Sequence, residues 1–395
     1  MVVLRVGTRT SALALAQART IAEKIVDVAG LSGFKIVGVT TKGDVNRALL
    51  HEVGRAGLFT GAVRDALLAD ECDIAVHSSK DLPALDHPDL SIAYPEREDP
   101  ADVFCARVPF AQLPQGARIG TGSPRRAAQL AALRPDVCIV PIRGNVPTRL
   151  ARVGADLDGV IVARAGLNRL GITIGDDLTG DDLPIDVFVP AAGQGALALE
   201  AVRGTWAAEV TALVAHEPTG REVTAERAFM AAIGAGCTTP VGVLGRAEHS
   251  GLTLHARYSG QANFSRGVRP ASSGQPSSAD QLACADHCLD STSTIVDESV
   301  SAPTAAEAAA ALAARFYAAG VGVRGSSISG AGSTDGAGDN GVGDSGLATS
   351  VPAPSMLAPS TSAPSMLAVL RRDDCDDRGD AAASGAGAGH TDDKV

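Results

Sequence analysis

Short apolar runs alternate with stretches of amphipathic helix from the first residues of this chain, and that alternation constrains the fold more than any other feature. Leu4–Gly7 reads as a strand, a helix follows from about Ser11, Phe34–Val39 is a second strand, a helix spans about Phe59 to Ala69, and Ile74–His77 is a third strand. Strands separated by helices are joined by crossovers, so the pattern predicts an α/β fold with a largely parallel sheet. It breaks at Tyr94-Pro95-Glu96-Arg97-Glu98-Asp99-Pro100, where two prolines and a cluster of charges interrupt both periodicities. It resumes through Ile119-Gly120, Val137–Pro141 and Val160–Ala163.

A second extended crossing at Val187-Phe188-Val189-Pro190 precedes Gly193-Gln194-Gly195, so two α/β lobes joined by a double crossover are expected, with a cleft between them. Thr224-Ala225-Glu226-Arg227 is expected to open a helix running toward Ile233. Leu252–Tyr258 reads as a strand and Thr304 to Ala319 as an Ala-rich helix, which together make a small α+β C-terminal domain. The expected division is residues 1–96 plus about 192–217 for lobe 1, 97–191 for lobe 2, 218–323 for the third domain and 324–395 for a disordered tail. Pro270–Ala279 reads as a loop insertion. Beyond Arg324 the composition is rich in Gly, Ser, Asp and Pro, and Ala-Pro-Ser-Met-Leu-Ala occurs at Ala353–Ala358 and again at Ala363–Ala368. Such a segment buries too little apolar surface to offset its ordering entropy.

Composition narrows the class of partner. With 395 residues, 45 % of them apolar, the chain can build a sizeable core. A net charge of −11 and an aromatic content of 3 % speak against nucleic acid, which calls for basic surface and stacking platforms. The amino terminus lacks a signal-peptide pattern, and no uncharged apolar run reaches the roughly 20 residues that span a bilayer. A cytoplasmic monomer is expected. The seven cysteines are an odd number without a Cys-x-x-Cys pair, which argues against a disulfide scaffold. Cys284-Ala-Asp-His287-Cys288 lacks the second ligand pair of a structural zinc site, so no metal is expected.

Three loop-to-helix corners carry arginines. Arg9-Thr10-Ser11 ends the first strand with Ser11 as a natural N-cap. Gly120-Thr121-Gly122-Ser123-Pro124-Arg125-Arg126 repeats the arrangement with Pro in the first helical position, and Arg143-Gly144-Asn145-Val146-Pro147-Thr148-Arg149 does so again. Each corner alone is what a capped helix with solvated arginines looks like. Three of them flanking one cleft point to a ligand with several carboxylates, because guanidinium forks match carboxylates bidentately. Phosphate also matches the charge of these corners, although no Gly-x-x-x-x-Gly-Lys-Ser/Thr loop is present. Asp81, after the strand end at His77-Ser78-Ser79-Lys80, should project into the cleft as a carboxylate suited to a developing cation or to N–H donors. His77 reads as a packed histidine and is left out of the site. Cys237, in Gly234-Ala235-Gly236-Cys237-Thr238-Thr239-Pro240, has small neighbours that let a bulky group approach.

His77-Ser78-Ser79-Lys80-Asp81-Leu82-Pro83, Glu96-Arg97-Glu98-Asp99-Pro100, Gly120–Arg126, Arg143–Arg149, Gly193-Gln194-Gly195 and Gly236-Cys237 resemble, in this order, the motifs of the porphobilinogen deaminase (hydroxymethylbilane synthase) family. The resemblance spans roughly Leu4 to Val323. It implies two periplasmic-binding-protein-like lobes and a third domain bearing a cysteine, here Cys237, joined by a thioether to a dipyrromethane cofactor. It implies a transferase of tetrapyrrole (porphyrin, haem) biosynthesis that condenses four porphobilinogen molecules head to tail with loss of ammonia and releases linear hydroxymethylbilane. Asp81 would then stabilise the azafulvenium-like cation and bond the pyrrole N–H groups. Arg9, Arg125, Arg126, Arg143, Arg149 and Arg169 would hold acetate and propionate groups, with Ser11, Ser78, Lys80, Thr121 and Ser123 in support. Among these, Arg9, Arg143, Arg149 and Arg169 are expected to face substrate, and no metal or nucleotide is implied. Two departures stand out: Gly54-Arg55-Ala56-Gly57-Leu58-Phe59 lacks the lysine that the family often carries there, and the tail and the insertion lie outside the shared pattern. The rival reading of the same residues is a two-lobed binding protein for a small polycarboxylate, without turnover.

Overall fold

The computed structural model describes residues 2–40, 60–175, 177–236, 239–260 and 295–321. Cys237, the Gly54–Phe59 loop, the Pro270–Ala279 insertion, the Cys284–Cys288 cluster and the tail from 324 all lie outside the described residues. The chain begins with strand β1 (Val3–Arg9), helix α1 (Ala12–Ala29), β2 (Gly33–Val39), α2 (Gly61–Leu68), β3 (Ile74–Ser78) and β4 (Leu90–Ala93). It crosses to a second sheet with β5 (Asp102–Ala106), β6 (Arg118–Thr121), α3 (Pro124–Leu133), β7 (Cys138–Pro141), α4 (Val146–Leu150), β8 (Gly159–Ala163), α5 (Arg164–Arg169) and β9 (Thr179–Leu183). It then returns to the first sheet through β10 (Leu197–Val202) and α6 (Trp206–Ala212). The last described elements are α7 (Glu217–Ala232), β11 (Val241–Glu248), β12 (Gly251–Ser259), β13 (Ile295–Ala302) and α8 (Ala305–Ala318).

Two five-stranded sheets, ordered β2-β1-β3-β10-β4 and β7-β6-β8-β5-β9, form the expected pair of lobes, and a three-stranded sheet β11-β12-β13 forms the small third one. The two large sheets repeat one plan. In each, three strands run parallel (β1, β2, β3 and β6, β7, β8), and the strand arriving from the crossover runs antiparallel to both of its neighbours. The expectation of largely parallel sheets is therefore corrected to mixed ones. The double crossover itself is the cause, because β5 and β10 enter their sheets from the opposite end.

Local sequence explains where the elements start and stop. Ser11 caps α1 by accepting from the Ala14 N–H at 3.3 Å, and Gly30 ends it with φ +62°, a conformation that a Cβ disfavours. Ala18, Ile21, Ala22 and Ile25 recur on one face of α1 and pack on Leu4 and Val6 of β1, Ile74 and Val76 of β3 and Leu197 and Leu199 of β10. Thr304 and Glu307 close a capping box at α8, whose Leu312 and Phe316 meet Phe229 of α7. The helix expected to open at Thr224 in fact begins two turns earlier. Its cap is His216, whose ring nitrogen accepts from the Thr219 N–H, and Pro218 sits in its first turn, leaving Thr224 mid-helix and exposed. Among the described cysteines, Cys72 and Cys105 are free and buried. Among the described residues no group of three or more potential ligands could hold a metal ion.

Candidate active site

β3 ends in a single 3-10 turn, Ser79–Asp81, which carries the two charged residues of the first motif. The turn is pinned from below by the second crossover. The Ser79 N–H donates to Ala196 O at 3.0 Å, and Gly193, at φ +68°, lies so close that a Cβ there would overlap the Ser79 hydroxyl. Gly195, at φ +85°, lies equally close to the first crossover, where a Cβ would overlap the Glu98 carbonyl oxygen. Gly193-Gln194-Gly195 is thus where both crossovers touch. Gln194 Nε2 donates to Pro100 O at 2.7 Å and Asp102 Oδ1 at 2.8 Å, and Arg169 Nη2 donates to Gly195 O at 2.6 Å.

The second corner folds as read. Thr121 ends β6 fully buried and its Oγ1 accepts from the Ser123 N–H at 3.2 Å, while Ser123 caps α3 by accepting from the Arg126 N–H at 3.4 Å. Arg125 and Arg126 turn inward to a residue that sequence reasoning passed over. Asp102, fully buried, accepts from Arg125 Nη2 at 2.7 Å and from Arg126 Nη2 at 2.6 Å and Nε at 3.1 Å. Arg125 Nη1 donates to Val189 O at 2.8 Å and Arg126 Nη1 to Ile161 O at 2.8 Å. Desolvation pushes the Asp102 carboxyl up, but the two guanidiniums outweigh it and hold the group down at about 2. Burial lowers the Arg125 pKa against the raising influence of Asp102.

A cavity of about 160 Å³ opens where the three domains meet. Ser79, Lys80 and Leu82 line it from lobe 1, Ser123 and Arg125 from lobe 2, and Ala191 and Ala192 from the crossover. The third domain contributes Arg227, Met230, Gly236 and Thr239, so the residues on either side of the Cys237-Thr238 pair border this space. Gly236 and Thr239 are tied to each other: the Thr239 N–H donates to Gly236 O, and the Gly236 N–H donates to Thr239 Oγ1, both at 3.0 Å. Lys80 is accessible to water yet enclosed by protein mass. That desolvation, with Arg126 and then Arg125 nearby, outweighs Asp81 and Asp102 and lowers its pKa to about 8.

The remaining expected residues sit as follows. Asp81 is half-buried beside Lys80 and is not itself in the cavity lining. Ser78 Oγ donates to Gln17 Oε1 at 3.3 Å, and Arg9 closes β1 half-buried. Arg143 is exposed between β7 and α4, while Arg149 in α4 donates through Nε to Gly144 O at 2.9 Å. Burial and then the Arg126 charge lower the Arg149 pKa, which puts it in the same electrostatic neighbourhood as the second corner. Burial lowers that of Arg169 also, against Glu98. His77 is buried, as expected of a packed histidine, with Nε2 3.1 Å from Glu200 Oε2. Asp102, Glu226 and Arg227 were missed. The available signal was an apolar run after each: Asp102 precedes Val-Phe-Cys-Ala, and Glu226-Arg227 precedes Ala228-Phe229-Met230. Glu226, fully buried, accepts from Arg97 Nη1 at 2.6 Å and from the N–H groups of Gly193 at 2.6 Å and Gly245 at 2.8 Å.

A carboxylated pyrrole cofactor fits this chemistry. Ser79 Oγ, Arg125 Nε and Arg227 Nε are buried without a hydrogen-bond partner, and all three belong to residues that line the cavity. Donors of this kind gain from acceptors brought in by a ligand, and carboxylates are the strongest acceptors available.

Residues 4–209 match the family model described as porphobilinogen deaminase, dipyromethane cofactor binding domain, and residues 221–259 match its C-terminal domain. The chain is 48 % identical over 244 residues to the porphobilinogen deaminase of Thermobifida fusca, covering 60 % of this chain and 75 % of that protein. It is 47 % identical over 262 residues to that of Leifsonia xyli, covering 64 % and 78 %. With the Roseiflexus castenholzii protein of the same name it shares 40 % over 283 residues, covering 69 % and 91 %. The arginine corners, the cavity bordered by Gly236 and Thr239, and matches over both of the family's domains agree, and the chain belongs to the porphobilinogen deaminase family.

Proposed function

We propose that this chain performs hydroxymethylbilane synthesis in the cavity between its three domains, with Cys237 as the attachment point of the dipyrromethane and Asp81 as the catalytic carboxylate. The observation that carries the residue assignment is that Lys80 and Arg125 line the same cavity as Gly236 and Thr239. When bound, the dipyrromethane supplies the pyrrole carbon to which the first porphobilinogen is joined. Around it, the chain's own residues bind, orient and compensate charge.

Lys80 and Arg125 line the cavity and, with Arg126 behind them, leave a net positive charge after Asp102 is counted, which favours acetate and propionate groups. Ser11, Ser78, Thr121 and Ser123 keep the turns rigid from which these cations project, so little ordering is required when the ligand arrives. Arg9, Arg143, Arg149 and Arg169 provide further cations for the carboxylates that each new unit brings. Asp81 holds its carboxylate beside Lys80, where it accepts from pyrrole N–H groups and offsets the positive charge that develops as the aminomethyl carbon of porphobilinogen loses ammonia. That carbon bonds to the free α-carbon of the preceding pyrrole, which gives up its proton. In this reading residues 1–96 plus about 192–217 carry the carboxylate, 97–191 most of the cations, and 218–323 the cysteine. The protein acts as a cytoplasmic monomer on a small-molecule substrate. No described helix is long and apolar enough to cross a membrane, and size-exclusion chromatography tests the oligomeric state.

The test is intact mass spectrometry of the full chain and of Cys237→Ala, each before and after porphobilinogen. Wild type should carry a surplus equal to two condensed pyrrole units and gain further steps with substrate, while the variant should show neither. A surplus that persists in Cys237→Ala refutes the attachment point, and Asp81→Ala turning over at the wild-type rate refutes the carboxylate's role.

A further inference from the structure

Arg227 lies about one and a half turns before the end of α7, the helix that leads through Gly234-Ala235-Gly236 to Cys237. Its guanidinium leaves the third domain altogether. Nη2 donates to Pro83 O at 2.6 Å, and Nη1 donates to Asp86 Oδ1 and to Tyr94 Oη, both at 2.7 Å. Pro83 is two residues beyond Asp81, and the Leu82 N–H between them donates to Ser79 O at 3.1 Å, closing the turn that holds the carboxylate. Arg227 is buried, lines the cavity, and has an Nε without a partner. Its outlay is large for a residue that only needs to stay folded, since Tyr94 is also buried and its hydroxyl depends on this contact.

We infer that Arg227 is a positioning residue that fixes the spacing between the Asp81 turn and the end of α7, from which the chain runs through Gly236 toward Cys237. One end of the bridge is a regular helix and the other is a backbone carbonyl next to the catalytic turn, so a displacement of either end is passed to the other through three hydrogen bonds. The forked geometry matters: three acceptors on two separate segments are met by one planar group, which an ammonium cannot reproduce. Asp86 is largely exposed and Tyr94 is the second anchor, so the Pro83 carbonyl carries the link to the turn itself. Loosening this bridge leaves the carboxylate and the cations present but lets the reacting ends drift, and a displacement near 1 Å costs roughly 10- to 100-fold in rate.

This inference rests on the condensation proposed above, and the experiment separates the two. Arg227→Gln, Arg227→Lys and the control Arg246→Gln, which breaks only an exposed pair with Asp186, are mixed as full-length holo-proteins with porphobilinogen, quenched at short times and weighed intact. Wild type and control should show the same series of bound species with successive substrate additions. Arg227→Gln should shift that series toward early additions, with kcat down roughly 10- to 100-fold and KM within about twofold. Arg227→Lys should recover only part of the rate. If Arg227→Gln shows the wild-type series and kcat per folded molecule, with a lowered Tm alone, the positioning role is refuted. If wild type shows no series at all, the proposed function fails instead. Should Arg227→Gln not fold, Arg227→Lys, which keeps the charge but cannot meet the acceptors on both segments at once, is read in its place. The same early shift supports the inference, and an unchanged series overturns it.

Discussion

Replacing Asp102 by Asn removes one negative charge from between two buried guanidiniums while keeping the side chain's shape. The amide still offers one oxygen, so Gln194 or one arginine keeps an acceptor, but Arg125 and Arg126 then face each other without compensation. Two routes give the magnitude. The carboxyl is held at about 2 against its ordinary 3.8, and at about 1.4 kcal/mol per pH unit that depression corresponds to ~2 kcal/mol. Removing one partner from a buried ion pair costs ~3–5 kcal/mol in general. A loss near 3 kcal/mol satisfies both, and in a chain of this size it lowers Tm by roughly 4–5 °C. The sign of the pH dependence follows. Because the folded-state value lies below the unfolded one, the stabilisation is fully present above about pH 4 and is lost as pH falls toward 2. Urea unfolding followed by circular dichroism at pH 7, 4.5 and 3 should show the gap between wild type and Asp102→Asn roughly halved at pH 3. A variant within about 1 °C of wild type at pH 7, or a gap that does not narrow with acid, refutes the assignment of Asp102 as the counter-charge of this corner.

Three further expectations follow from other parts of the molecule. Gly195→Ala forces a Cβ into the left-handed region against the Glu98 carbonyl, so it should cost at least ~2 kcal/mol and appear as a clear drop in Tm, whereas Gly30→Ala, with nothing within reach of the new methyl, should cost only the strain of its φ of +62°. Lys80, lowered to about 8, loses its charge across that pH; kcat/KM should therefore fall above pH 8 in wild type, and Lys80→Arg should move the fall to higher pH. In the apoprotein the same group favours unfolding at low pH, since the unfolded chain binds its proton more tightly, so its contribution to stability should improve between pH 8 and about 10.5. Glu200, fully buried between Arg64 and His77, is raised by desolvation but brought down to about 2 by those two partners; Glu200→Gln should destabilise the first lobe by ~3–5 kcal/mol, measured by denaturant unfolding, with the loss fading below pH 4.

The sequence alone determined what depends on neighbours along the chain. The Ser11 and Ser123 caps, the Pro124 start, the apolar face of α1 and the two crossovers were all legible, because each rests on residues within a few positions of one another. The family motifs were legible for the same reason. Tertiary structure decided which arginines have free forks and which are already paired. Arg125 and Arg126 look alike at any corner of this kind, but Asp102 lies 23 and 24 residues away, and Arg97 meets Glu226 across 129. No periodicity reports a pair at such separation, since the pairing is set by which strands the crossovers bring together. The antiparallel entry of β5 and β10 and the reach of Arg227 from α7 to Pro83 belong to the same class. They follow from how three domains close on one cavity, where an unpaired charge is costly and each buried donor must find its acceptor.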